Sequence, residues 1–111
     1  MSQSQISSSP LSSPLAIDPT LCEMVAMFVE EMPQRITRMR KSFGAHDWHA
    51  LRLGLRHLST AASSHGFDQL VPAAAEVEGK LTRREPTPEV GQALERLFDL
   101  CSRVTAKPRQ S

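Results

Sequence analysis

LRLGLRHLSTAASSHG, residues 51–66, is the longest stretch of the chain that reads as one helix. Trp48, Leu51, Leu55, Leu58, Ala62 and His65 follow one another at spacings of three or four, so they share one face. At about 100° per residue the opposite face carries His49, Leu53, Arg56 and Thr60, flanked by His57, Ser63 and Ser64. One side is built for burial. The other presents cationic and hydroxyl groups around a single leucine, and it is the natural place to look for function.

Working outward, the helix is punctuated at both ends. Asp47 suits an N-cap and Gly66 a stop, so the helix should run from 48 to about 65. Downstream, Asp68 reads as the next cap, with Leu70, Ala74, Val77 and Leu81 on an inner face. Pro72 falls in that helix's first turn, where amide groups have no intrahelical acceptor. Thr87-Pro88-Glu89 is another helix start: a cap, a proline at the first position and an acid in the first turn. Val90, Leu94, Leu97, Cys101 and Val104 form the last stripe.

Upstream, Asp18-Pro19 opens a stripe of Leu21, Val25, Phe28 and Met32. The ring of Pro33 opposes the carbonyl of Val29, which predicts a break or kink near Met32. The stripe resumes through Ile36, Met39 and Phe43, ended by Gly44. The expected fold is all-α: an antiparallel up-down four-helix bundle with a short N-terminal capping helix. Its extent is residues 18–105. Residues 1–17, rich in Ser with Pro10 and Pro14, are expected to be a disordered tail, and residues 106–111 a frayed basic one.

Composition narrows the function. The 111 residues suffice for one domain, and the formal net charge of +1 with no basic stripe argues against nucleic acid. The N-terminus has no signal-peptide pattern and no apolar run reaches the roughly 18 residues of a membrane span, so a cytoplasmic protein is expected. Cys22 and Cys101 fall at or beside apolar positions and read as buried thiols, with a disulfide between them left open. His46, Asp47 and His49 supply too few ligands for zinc, which wants three or four, and neither a metal nor a cofactor is expected. No Gly-rich phosphate loop, nucleophile elbow or opposed carboxylate pair is visible. Nothing in the pattern demands an oligomer, and a monomer is favoured.

Asp18-Pro19, FVEEMPQRI (28–36), HDW (46–48) and HGFDQLVPAAAEVEGKL (65–81), in this order and at these lengths, resemble the histidine-containing phosphotransfer (HPt) domain of bacterial phosphorelays. That family carries His-x-Leu-Lys-Gly on its third helix, with a helix-ending Gly ten residues after the His. Leu58 and Gly66 match, which puts the phospho-acceptor position on Arg56, the Lys on Ser59 and the Gly on Thr60. Arginine stays protonated and has no lone pair to attack phosphorus. The resemblance therefore implies a helical module that docks a response-regulator receiver or a histidine kinase without accepting a phosphoryl group. Its partner-binding face would comprise His49, Leu53, Arg56, His57, Ser59, Thr60, Ser63 and Ser64. Arg56 would meet the carboxylate cluster of a receiver with a planar, charged fork.

Two alternatives stay open. His57 is a fallback acceptor, although a shift of one residue turns the side chain by about 100° and phosphoryl transfer is exacting in position. The chain could also be a structural or assembly bundle that shares the fold alone.

Overall fold

The computed structural model describes residues 9–107. Four α-helices dominate them: α1 (Cys22–Gly44), α2 (Trp48–Ser64), α3 (Leu70–Thr82) and α4 (Thr87–Ser102). α1 packs on α2, α2 on α3, α3 on α4, and α4 back on α1, so the chain closes an up-down ring around one core. That core is filled by Val25, Phe28, Leu51, Leu55, Leu58 and Leu97, each almost without solvent contact. It is the all-α bundle that the four apolar stripes call for.

The expected break at Pro33 does not occur. α1 runs through the proline without interruption. Val25, Phe28, Met32 and Met39 are buried on both sides of it, while Pro33 itself faces solvent. An interior proline costs about 3 kcal/mol. Burying even two of those side chains offsets that, at roughly 1.5–3 kcal/mol each. The apolar period is not reset across Pro33, so a break would turn half of the stripe off the core.

The short covering element is therefore a different one. The expectation of disorder through residue 17 fails for the described part of that segment; residues 1–8 lie outside it. A two-residue strand, β1 (Leu11–Ser12), pairs in parallel with β2 (Val104–Thr105), Leu11 opposite Val104. A 3₁₀ turn at Pro14–Ile17 follows and packs on α1, with Ala16 buried. Ser13 fastens this strap: its Oγ accepts from Leu15 N at 3.0 Å and donates to the His65 carbonyl at 2.5 Å. At the other terminus, residues 104–105 are in β2, and the expected fraying concerns a tail of which 108–111 lie outside the described residues.

Helix starts depart from the sequence reading by one to three residues. Asp18 does not cap α1; its carboxylate accepts from Thr20 N at 2.8 Å and organises the turn before the helix. Asp68 does not cap α3 by its side chain, and α3 begins at Leu70. Thr87 is already helical, so Pro88 stands at the second position of α4. Asp47 does cap α2, accepting from Ala50 N at 3.1 Å.

Three helices end in the same way. The amides of Asp47, Phe67 and Glu85 reach back five residues to the carbonyls of Ser42, Ala62 and Lys80. Each closure needs a left-handed residue just before it, and these are His46, Gly66 and Arg84. Gly66, at the strap end, is held to glycine by space as well as by φ: a Cβ there would collide with Ser13 Oγ.

Candidate functional site

The outer face of α2 is where the sequence places the candidate site. Leu51, Leu55, Leu58 and Ala62 anchor the inner face in the core and so fix the azimuth of everything opposite. His49, Leu53, Arg56, His57, Thr60, Ser63 and Ser64 are all exposed, and Ser59 is half-buried toward one edge. Leu53 is 40% exposed, one of few large apolar side chains left in solvent. His65, at the end of the inner face, is packed as expected: its ring stacks on Phe28 at 5.0 Å and Nδ1 lies 2.7 Å from the Ala61 carbonyl.

Adjacent positions on α2 lean to opposite flanks. Arg56 turns toward α3, where its Nε donates to Glu78 Oε2 at 2.8 Å. Its side chain remains 62% exposed, and its two terminal nitrogens have no acceptor among the described residues. His57 turns toward α1. It borders a groove of about 270 Å³ whose walls include Arg35, Arg38, Ser42 and Leu53. Gly54 makes the close packing beneath possible, since a Cβ there would lie 3.1 Å from Met39 Cγ.

The sequence reading missed Arg35, Arg38 and Glu78. Arg35 has its Nε buried without an acceptor, its guanidinium 5.7 Å from the Phe28 ring centre, and only a long 3.8 Å contact with Glu31. Arg38 has no ion-pair partner among the described residues. Neither shares a helix with Arg56 or His57, so no local spacing reveals the association. The groove between α1 and α2 is thus lined by two arginines beside His57, with Leu53 among its walls. Such a surface complements a partner rich in carboxylates.

The other candidates sort as follows. Asp47 spends its carboxylate on the α2 cap, and the His46 ring lies 5.2 Å from that of Trp48. No three His, Cys, Asp or Glu side chains gather as a metal site would require among the described residues. Cys22 is half-buried, Cys101 buried, and both are free thiols. Burial pushes the Cys101 thiol up to about 12, so it is inert as a nucleophile at neutral pH.

The Hpt domain family model matches residues 23–107, which is most of the chain. The chain belongs to the Hpt domain family. Domains of this family are phosphocarrier modules of two-component signalling, not enzymes in the ordinary sense, and they work with receiver domains and histidine kinases. No curated protein and no solved structure matches the chain. No helix among the described residues is long and apolar enough to cross a membrane.

Proposed function

We propose that this chain is an Hpt module that docks a receiver domain or a histidine kinase without accepting a phosphoryl group. The observation that carries the reading is Arg56. By the sequence resemblance it falls in register with the family's acceptor; Leu58 is buried beside it, Gly66 lies just past the helix end, and the terminal nitrogens of Arg56 have no acceptor among the described residues. On docking, the fork would enter the carboxylate cluster of the receiver and compete there with a divalent cation. Leu53 would supply the apolar centre of the footprint, and His49, Thr60, Ser63 and Ser64 its rim.

A second reading is favoured by one observation. The groove beside His57 carries Arg35 and Arg38, and two guanidinium groups next to an imidazole are a fit environment for a phosphoryl group on nitrogen. They would stand in for the lysine that Ser59 replaces. In this reading His57 takes the phosphoryl group from a receiver aspartyl phosphate.

One experiment separates the two. Labelled phospho-receiver domains are mixed with the wild type, His57→Gln and Arg56→His, with binding followed in parallel. Binding without label on the wild type, with label gained by Arg56→His, is the expected result. Acid-labile label on the wild type that is lost in His57→Gln would establish the second reading. Absence of both binding and label would move the weight to an assembly role.

A further inference from the structure

We propose a second, separate site: a cleft at the closed-turn end of the bundle that binds a small organic oxyanion, a phosphate or carboxylate on a flat or apolar body. The cleft lies where the start of α2 meets the α3–α4 turn. Its volume is about 460 Å³, within the range of small-ligand pockets. Trp48, Arg52, Leu81, Arg84, Glu85, Thr87 and Val90 line it.

Two features point to an anion. First, the two arginines lining the cleft form no ion pair with the one carboxylate that lines it. Arg52 is half-buried with its Nε shielded from solvent and without an acceptor. Neither Arg52 nor Arg84 has an ion-pair partner among the described residues. The one carboxylate among the lining residues, Glu85, is already engaged: it accepts from Lys80 Nζ at 3.1 Å and from Arg83 Nε at 2.9 Å. These bonds, that from Arg83 foremost, hold its carboxyl below the usual carboxylate range.

Second, Arg84 occupies a backbone conformation that favours glycine. Its φ is +56°, at the turn position that Gly66 fills at the other end of the bundle. An arginine there carries a conformational penalty that glycine would avoid. Residues held in such conformations cluster at binding sites. Arg84 brings to the lining of the cleft a guanidinium that a glycine at this turn would not supply. Trp48 supplies a flat wall.

The cleft can be read directly, because Trp48 is the only tryptophan in the chain. Inorganic phosphate and phenyl phosphate are titrated at constant ionic strength against a chloride control. Trp48 fluorescence and the amide resonances of Thr87 and Glu89 are followed. Expected are saturable changes in both signals and tighter binding of phenyl phosphate. Arg84→Gly should weaken binding about tenfold, the size expected for one charged hydrogen bond, while raising Tm. Arg52→Gln should weaken it similarly, which guards against a folding artefact in either variant. No saturable change, or unchanged affinity in both variants, would overturn the site. Equal affinity for the two phosphates would remove Trp48 from it.

Discussion

Arg56 and Glu78 join α2 to α3 through a 2.8 Å contact between Nε and Oε2, at the position the proposed function assigns to the dock. The pair is open to solvent, so its contribution to stability should be small, up to about 1 kcal/mol. Its importance lies in what it occupies. On the proposed docking, a receiver carboxylate would share or replace Glu78. Glu78→Gln should therefore leave the denaturation midpoint nearly unchanged and tighten receiver binding, measured calorimetrically. Arg56→Ala should abolish both that gain and any effect of magnesium on affinity.

Leu53 tests the footprint without touching charge. It is 40% exposed and its loss opens no core cavity. Leu53→Ser should leave stability within about 0.5 kcal/mol of the wild type, as for most surface changes. Receiver affinity should fall at least severalfold if this face is the dock.

The strap should respond to Gly66. Its φ is +82°, and a Cβ would meet Ser13 Oγ, Leu15 and Pro14. Gly66→Ala is expected to cost about 2 kcal/mol or more, from backbone strain together with loss of the Ser13 contacts. Hydrogen exchange at the Leu15 amide, now bonded to Ser13 Oγ, should accelerate beyond the global effect.

Pro33 makes the opposite prediction. Its ring faces solvent while the helix continues, so Pro33→Ala restores a hydrogen bond at no cost in packing. Stability should rise by roughly 1–2 kcal/mol, the interior-proline penalty less the greater freedom of the unfolded chain. A fall in Tm would mean that the helix is kinked there for a reason.

Cys101 sets an alkaline limit. Its thiol is raised to about 12 by burial, whereas an unfolded thiol ionises near 8.5. Above that point the unfolded state releases a proton that the folded state keeps, so stability falls as pH rises toward 12. The slope from this group approaches about 1.4 kcal/mol per pH unit. The chain has no tyrosine to titrate in the same window. Denaturation at pH 8, 9 and 10 should show the slope in the wild type and its loss in Cys101→Ala.

Much of this molecule was legible in its residues. The apolar stripes of α1 to α4 and the cap at Asp47 were there to read. So was the packed His65, and so was the exposed face of α2 opposite Leu51, Leu55, Leu58 and Ala62. These are local properties, because helical periodicity and capping depend on neighbours within a turn or so. Even the continuity of α1 was present as an unbroken apolar period across Pro33, a signal that the proline rule overrode.

Tertiary structure alone decided the rest. Arg56 and Glu78 lie 22 residues apart, and His57 shares a groove with Arg35 and Arg38 of the neighbouring helix. The strap depends on Ser13 reaching a carbonyl 52 residues away. Which long side chains meet is set by how neighbouring helices are rotated and offset along their axes. Core packing fixes that rotation and offset, and no spacing along a single helix encodes it.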